Sequence, residues 1–576
     1  MSESKVLAMY DFSAKQNYIY RTSKIKEIVG ASQIIKESFV EFLRLIAKDT
    51  ELRLNPDEAT LVNNCADTTA LCLKLVSTSF SLKNIGAAYG CSVVYEGGGN
   101  LLIVFDSEDH CRKANKMFSC MVFEKSYGLN PICAYVNVTD DFQADVKEVY
   151  KVSNRVKAHT PQMHPVNVLP YSLIDRTVSL PIAEKQKIPR KYMKNGELKK
   201  YCEPIELTLE SALKQDAYVR ALRTELWDRS QNDLGKLVNP GSEENGNAET
   251  ELSDPLDKLD SLLACIYIDG NAMGVHNKTL FKNATEQEKQ SYDFVAKQLR
   301  ANSANMEDVF QTKPVDAVKK LLDDLKAKHV AQTEEQDKEK DAYWFRMVIG
   351  GGDEITLICN AHCALKVVNA YFESVKAHTP SPINGTIFSS CAGIAIFHSH
   401  DPFSSVYEIA EECCESGKKR NRSEGHDQNF YVDFHYIRSG ITGDLKKIRA
   451  DEFQYSNRPY CWRSAAGTDA EHDYKCFEDA GAALCEMGED ARGDIKRIIE
   501  TIFQGDSYYR METERLKTKY KLRGKNNIMD IFLSEETKQK ALFDACLHYD
   551  LWFTPEWYKV DKTPQDSGDD KEVGES

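Results

Sequence analysis

The sequence lacks the features that would place it in a membrane, a secretory pathway or a zinc-bound scaffold. It has no run of about 18 apolar residues, so no transmembrane helix is expected. Its N-terminus has no basic segment followed by an apolar stretch, as a secretion signal would. Cysteines spaced C-x-x-C, which are typical of zinc ribbons, do not occur, and the 17 cysteines are scattered. These properties predict a cytoplasmic protein with reduced thiols.

Basic residues are also in the minority. The 74 Lys and Arg residues face 89 Asp and Glu residues, and the net charge of −15 argues against a general nucleic-acid-coating protein. The P-loop, dinucleotide-binding, G-x-S-x-G and Cys/His nucleophile patterns are missing as well. What is present is an ordinary globular composition, with 42% hydrophobic residues in a chain of 576. That length is enough for about three or four domains.

An internal repeat organises the chain. Residues 1–175 and 258–425 each predict, in order, a strand, a helix, a glycine-rich β-hairpin, a helix and a strand. The hairpins are SVVYEGGGNLLIVFD at 92–106 and WFRMVIGGGDEITLIC at 344–359. The repeat therefore predicts two duplicated units of mixed α and β structure. The other segments are predicted as a basic, helical connector and linker, a mostly helical C-terminal domain and a disordered tail: 176–257, 426–560 and 561–576.

The second hairpin carries the strongest chemical signal. Gly351 and Gly352 precede two consecutive carboxylates, Asp353 and Glu354, and Asp269 ends the opening strand of the same unit. If these strands pair, the three carboxylates converge. Hard oxygen ligands of this kind suit Mg²⁺ or Mn²⁺. A solvated acidic β-turn is the competing interpretation.

The first hairpin lacks these carboxylates. In its EGGGN turn, Asn100 and Leu101 align with Asp353 and Glu354. That turn can bind a nucleotide or simply pack, but it offers no ligands for two metal ions. We therefore expect one unit to have kept the acidic turn and the other to have lost it.

Three segments together resemble a known family: YIDGNAMG from position 267, GGGDEITLI from 350 and SCAGIAIFHSHDPFSSVYEIAEECCESGKK from 390. They are similar to the palm domain of nucleotide cyclases and polymerases, including the GGDEF diguanylate cyclases. With the N-terminal YDFSAKQNYIYRTSKIKEIVGASQIIKE, most of residues 1–460 more closely resemble the large CRISPR polymerase subunit of type III CRISPR effector complexes. The resemblance implies an α+β fold. It would contain two ferredoxin-like palm domains, the first degenerate and the second catalytic, and a helical C-terminal domain.

The resemblance also implies roles for individual residues. The catalytic carboxylates, which would bind Mg²⁺ or Mn²⁺, are Asp269, Asp353 and Glu354. The nucleotide-binding residues would contribute backbone amides, room at the turn, or positive charge: Gly270, Asn271, Ala272, Gly351, Gly352 and Lys418. Glu354 stands where the family has a second Asp, a departure that keeps the carboxylate and is usual among GGDEF proteins. A solvated Lys at a helix C-terminus is the competing interpretation of Lys418.

The function implied is metal-dependent conversion of ATP, or another nucleoside triphosphate, to a cyclic oligonucleotide messenger with release of pyrophosphate. Its context would be CRISPR-type antiviral defence. Two alternatives remain open: a non-catalytic RNA-binding scaffold subunit of a type III complex, and a standalone cyclic di- or mononucleotide cyclase. The family's HD nuclease domain and zinc-binding cysteine pairs have no counterpart here, so DNA cleavage is not expected.

The partners follow from the same resemblance. Two triphosphates must be aligned, which needs a contact between palms within the chain or in a homodimer. Guide or target RNA and other CRISPR subunits are further expected partners, whereas a membrane is not. Basic stretches at 185–200 and 515–525 could follow an RNA backbone, although a charge run is more often a solvated face.

Overall fold

The computed structural model describes the chain in segments that cover both repeated units and much of the C-terminal part. These segments are 4–20, 25–64, 71–126, 129–139, 141–160, 182–186, 205–208, 262–332, 345–398, 401–423, 428–437, 445–450, 455–462, 472–487, 492–520 and 536–553. Most of the predicted connector at 176–257, with nearly all of the basic stretch at 185–200, lies outside the described residues, as does the predicted tail at 561–576. None of the described helices is long and apolar enough to cross a membrane.

The first unit is a four-stranded antiparallel sheet with the order β2-β3-β1-β4. Its strands β1 to β4 are Val6–Ser13, Cys91–Gly97, Asn100–Phe105 and Asn130–Asn137. Its helices α1 to α6 are Lys15–Ile19, Ile25–Lys48, Pro56–Asn64, Leu71–Leu75, Glu108–Ser126 and Phe142–His159. A separate two-stranded sheet follows, formed by β5 and β6: Ile182–Gln186 and Ile205–Thr208.

The second unit is built on a six-stranded sheet with the order β12-β11-β10-β7-β9-β8. Strands β7 to β12 are Leu262–Gly270, Phe345–Gly351, Glu354–Asn360, Ser390–His398, Tyr431–Tyr436 and Tyr460–Cys461. Helices α7 to α12 are Met273–Thr279, Glu286–Gln290, Tyr292–Glu307, Lys313–Gln332, Ala364–Ala377 and Phe403–Asn421. A π-helical segment, Asp308–Thr312, joins α9 to α10, and a 3-10 turn, Ala361–Cys363, precedes α11.

The duplication predicted from the sequence is visible in the strand order. In each unit the first four strands lie in the order second, third, first, fourth, which is the order of a β-α-β-β-α-β unit. The chain therefore has the mixed α+β fold that was expected.

The predicted boundary after residue 425 falls inside the second unit. β11 pairs in parallel with β10, and β12 pairs antiparallel with β11, so two strands of the predicted helical domain complete the second sheet. Beyond them, α13 to α18 are Leu445–Ile448, Tyr474–Glu486, Arg492–Gln504, Asp506–Tyr520, Glu536–Leu547 and Tyr549–Trp552.

Both sheets are covered on both faces, which explains why their central strands are continuous apolar runs. In β1, Val6, Ala8 and Tyr10 point into one apolar cluster while Leu7 and Met9 point into another. The first cluster also contains side chains of the second unit, so the two units share a core. At the contact between them, the rings of Tyr20 and Tyr407 stack with their centroids 4.0 Å apart.

Candidate active site

The acidic turn lies beside the end of the opening strand of the second unit. Asp269, at the end of β7, is paired in register with Glu354, the first residue of β9, so their side chains share one face of the sheet. Asp353 lies in the turn, where its carbonyl accepts a hydrogen bond of 3.1 Å from the amide of Gly270. A Cβ atom on Gly270 would lie 2.9 Å from that of Asp353, so glycine permits this close approach. The structure thus brings together the three carboxylates picked out from the sequence.

These carboxylates lie close together and are partly buried, so their negative charges repel one another. Burial raises the pKa of Glu354 from 4.5 to about 7, and the negative charges of Asp269 and Asp353 act in the same direction. Burial likewise raises the pKa of Asp353, again with the charge of Asp269. Carboxylates held close together against their charge are stabilised by a cation.

One such cation is present in the protein itself. Lys418, in the last turn of α12, forms an ion pair with Asp269. Burial alone would lower the pKa of Lys418, but the charge of Asp269, the hydrogen bond to it and the nearby thiols of Cys414 and Cys391 together offset this effect, and the net shift is upward. Lys418 is therefore an ammonium ion in contact with the acidic cluster, as a phosphate-neutralising residue would be.

The donor set fits Mg²⁺ or Mn²⁺ in the way those ions bind together with a substrate. Among the described residues, no group of three His, Cys, Asp or Glu side chains is arranged as a ready-made metal site. Magnesium, however, is usually held by one or two carboxylates together with substrate phosphates and water. Asp269 and Asp353, with their mutual repulsion, could supply such a pair.

Two of the backbone amides that were predicted to bind phosphates have acceptors within the protein. The amides of Gly270 and Asn271 already donate to the carbonyls of Asp353 and Ser389, at 3.1 and 2.9 Å, because this is where β7 leaves the sheet. That these amides bind phosphates stays a prediction, and phosphate binding would have to replace or share these hydrogen bonds. Ala272 has a positive φ of 55° and is the N-cap of α7. The side chain of Asn271 is buried and donates to Ser389 Oγ at 2.9 Å, which makes it structural.

The two glycines of the turn leave space beside the carboxylates. A side chain added at Gly351 would meet none of the described atoms within 4 Å. Gly352 has a φ of 63°, which glycine adopts without strain. A Cβ atom on Gly352 would lie 4.0 Å from the Cα atom of Gly98, so the two glycine turns of the chain face each other closely.

The first unit holds a different set of charges at the equivalent place. Tyr10 pairs with Leu101 in the first sheet, so Asp11 lies opposite Asn100 as Asp269 lies opposite Glu354. Asn100 therefore corresponds to Glu354 and Gly99 to Asp353, which corrects the alignment made from the sequence by one residue. The shift arises because the alignment matched the two glycine triplets, whereas the residue pairs that flank the turns are Gly97 with Asn100 and Gly351 with Glu354.

Two lysines neutralise Asp11. Lys15 Nζ lies 2.9 Å from the Asp11 carboxylate and donates at 2.9 Å to the carbonyl of Gly99. Lys157, near the end of α6, forms a second ion pair with Asp11. Lys157 lies 16 residues after Asp141, the N-cap of α6. Lys418 likewise lies 16 residues after Pro402, the N-cap of α12. Neither lysine was predicted from the sequence, although the equal spacing could have indicated Lys157 as the counterpart of Lys418.

A cavity of about 1130 Å³ is lined by residues of both turns. Its volume lies just above the range of about 300–1,000 Å³ that is usual for the site of one drug-sized ligand. The turns come from one chain. Of the two arrangements expected from the sequence, the structure therefore has the contact between units within the chain.

The predicted RNA-binding stretch at 515–525 is described only in its first part. There, Arg515 forms ion pairs with Glu512 and Asp494, and Lys519 pairs with Asp494 as well. These two basic side chains therefore face acidic partners of the protein itself. The remainder of the stretch lies outside the described residues.

Comparison with known proteins finds no matching family model and no matching curated protein. Similar solved structures include Csm1 in T. onnurineus, with 12% identity, a TM-score of 0.44, and coverage of 95% of this chain and 69% of that chain. A Csm1-Csm4 cassette in complex with cA3 has 12% identity, a TM-score of 0.46 and coverage of 95% and 70%. The Csm1-Csm4 subcomplex of the type III-A CRISPR-Csm interference complex has 12% identity, a TM-score of 0.41 and the same coverage. The three structures contain Csm1, alone or together with Csm4.

Proposed function

We propose that this chain is a palm-type, metal-dependent nucleotidyltransferase that converts nucleoside triphosphates, with ATP favoured, to a cyclic oligonucleotide and pyrophosphate. We place it in a type III CRISPR effector complex acting in antiviral defence. The observation that carries the proposal is the convergence of Asp269, Asp353 and Glu354 at a glycine turn that opens on a cavity lined by both units. A solvated acidic turn would not need three converging carboxylates, two of them with raised pKa values.

The residues of the second unit divide the chemistry among them. Asp269 and Asp353 would hold Mg²⁺ or Mn²⁺, which supplies positive charge to the triphosphate oxygens when bound. Lys418 adds its own charge on the same side of the sheet. Glu354, which lies opposite Asp269 in the sheet, would accept the proton of the attacking ribose hydroxyl. The hydroxyl oxygen then forms a bond with the α-phosphorus, and pyrophosphate leaves.

The first unit would contribute binding rather than chemistry. Asp11 is already neutralised by Lys15 and Lys157, so this half of the cavity does not need a metal ion for charge balance. Its glycine turn lies next to the acidic turn and lines the same cavity. It would hold the second nucleotide, whose hydroxyl attacks the one bound at the acidic turn.

Incubating the purified chain with each of the four nucleoside triphosphates and Mg²⁺ or Mn²⁺ tests the proposal. Products are identified by mass spectrometry and pyrophosphate is measured. We expect a cyclic oligonucleotide from ATP and at least a 100-fold loss in the double variant Asp353→Asn, Glu354→Gln, as for removal of groups that stabilise a transition state. The matched control is Glu108→Gln with Asp109→Asn, another adjacent acidic pair, which is exposed on α5.

Three results would contradict the proposal in different ways. No product from any nucleotide, with RNA present or absent, would favour the non-catalytic scaffold. A cyclic mono- or dinucleotide would favour the standalone cyclase. A product that survives in the double variant would mean that the active site lies elsewhere.

A further inference from the structure

One long helix connects the two glycine turns. Helix α9, the π-helical segment and α10 run without interruption through residues 292–332, here called the bridging helix. Four polar residues, spaced three or four apart, lie along the same side of it. We call these residues the polar stripe: Arg300, Ser303, Glu307 and Gln311.

The start of the polar stripe is anchored in the first unit. Arg300 is 3% exposed and forms an ion pair of 2.7 Å with Glu58, which is fully buried. Its guanidinium also donates to the carbonyls of Val93 and Val94, where the pairing of β2 with β3 shifts by one residue, and to Thr78. Arg300 thereby donates to carbonyls at the irregularity of the strand, and it fixes the bridging helix to the first sheet.

The middle of the polar stripe touches the first glycine turn. A Cβ atom on Gly97 would lie only 2.2 Å from Ser303 Oγ, so glycine is required for this approach. The bridging helix is therefore in contact with the last residue of β2, directly before the first turn.

The end of the polar stripe holds the second glycine turn. Gln311 is 6% exposed, and its amide nitrogen donates to the carbonyls of Gly352 and Glu354 at 3.1 and 2.8 Å. These two carbonyls lie on either side of Asp353. Glu307 takes part too: burial raises its pKa, while a hydrogen bond from the amide of Gly352 acts in the opposite direction. Gly352 is thus held at its amide and at its carbonyl by two residues of one helix.

Gln311 lies within the π-helical segment, Asp308–Thr312. A π-turn contains an extra residue, which redirects the side chains beside it, and such turns are frequent at functional sites. The wider turn is where the bridging helix passes the acidic turn.

We propose that the polar stripe fixes the second glycine turn against the first, and that Gln311 is the positioning residue that holds Asp353, one of the two proposed metal ligands, in place for metal binding. This inference rests on the proposed function of the same site. Removing the amide would leave two carbonyls beside Asp353 without their donor. Loss of a group that orients metal ligands typically weakens metal binding by about 10- to 100-fold.

The test measures Mn²⁺ binding to the full chain by the electron paramagnetic resonance signal of the free ion. Gln311→Met keeps the length of the side chain and removes its amide. We expect Mn²⁺ binding about 10- to 100-fold weaker than in the unsubstituted chain, measured well below the unfolding temperature. The control is Gln298→Met, which changes a half-buried Gln of the same helix and should leave Mn²⁺ binding unchanged.

A second variant tests the other end of the polar stripe and separates positioning from general damage. Arg300→Lys keeps the charge beside Glu58 but loses most of the hydrogen bonds to the first unit. We expect Mn²⁺ binding to be unchanged and kcat for product formation to fall about tenfold or more, because the two turns are no longer held at a fixed separation. A residue with a purely structural role would change both readouts or neither.

The outcomes distinguish this inference from the proposed function. If the unsubstituted chain binds Mn²⁺ but Gln311→Met binds it equally well, Gln311 does not position the metal ligands. If Arg300→Lys folds and keeps its kcat, the polar stripe does not set the relation between the turns. If the unsubstituted chain neither binds Mn²⁺ nor makes product, the proposed function itself fails.

Discussion

At the residue scale, the negative charge of Glu354 that the proposed reaction needs also lowers the stability of the folded protein. Burial and the neighbouring charges raise its pKa from 4.5 to about 7, so the folded state favours the protonated carboxyl. Between these two pH values the folded protein binds more protons at this residue than the unfolded chain does. The contribution of Glu354 to the free energy of unfolding of the metal-free protein therefore decreases as the pH rises from 4.5 to 7.

We accordingly predict that Glu354→Gln stabilises the metal-free protein at pH 8, by up to about 3 kcal/mol, because an amide avoids the buried charge. At pH 5, where Glu354 is largely protonated in the folded state, the gain should almost disappear. Urea unfolding in the presence of a chelator at both pH values measures it. The exposed Glu108→Gln should show no such gain, and an equal effect of Glu354→Gln at both pH values would contradict the prediction.

The sequence identified residues that lie in short motifs and missed those whose partners are distant in the chain. Asp269, Asp353, Glu354 and Lys418 stand in recognisable segments, and the structure brings all four together. Arg300, by contrast, meets carbonyls more than 200 positions away. No periodicity in a single sequence reports such a pairing, because an isolated polar residue of a helix is usually solvated.

At the scale of elements, the placement of Lys418 depends on how closely α12 packs on β10. A Cβ atom on Gly393 would lie 1.9 Å from the carbonyl oxygen of Ala410 and 2.4 Å from the amide of Cys414. Both atoms belong to the backbone of α12, which cannot move aside as a flexible side chain can. The missing side chain at Gly393 thus allows the helix to bring Lys418 to Asp269.

Gly393→Ala should therefore push α12 away from the sheet. We predict a loss of about 1–3 kcal/mol in the free energy of unfolding, as for other overpacked positions, together with a loss of the proposed nucleotidyltransferase activity. Chemical denaturation and the nucleotide assay measure the two effects. Gly274→Ala is the control, because a Cβ atom at that position meets none of the described atoms within 4 Å. Equal stability of the two variants would contradict this account.

The sequence anticipated the kinds of elements well and their ends less well. At the start of α12, Asp401 followed by Pro402 is the sequence pattern of an N-cap and a first helical residue, whereas the N-cap is Pro402 and the helix begins at Phe403. The reason is local: the Asp401 carboxylate accepts a hydrogen bond of 2.9 Å from the amide of His398, and so closes the preceding turn instead of capping the helix. The addition of β11 to the second sheet depends on parallel pairing, which leaves no local signal.

At the scale of the whole molecule, a helix of the second unit packs on the sheet of the first unit. Tyr292 and Val295 of α9 pack with Leu7 and Met9 on the face of the first sheet that is turned away from the shared core. Tyr292 also donates to the buried carboxylate of Asp145 at 2.5 Å. The second unit thus supplies a helix that completes the first. The repeat in the sequence predicted two units, but similarity between units carries no information on how they pack.

Because the two glycine turns belong to one chain, their arrangement predicts how the reaction rate depends on the protein concentration. When both halves of a reaction chamber belong to one polypeptide, their effective concentration does not depend on how much protein is in solution. The rate of product formation per chain should stay constant when the protein is diluted from micromolar to low nanomolar, whereas a chamber shared by two chains would lose activity as they separate. A progress-curve series across that dilution, with saturating ATP and Mn²⁺, measures this. A specific activity that falls in proportion to concentration would show that a second chain is needed after all.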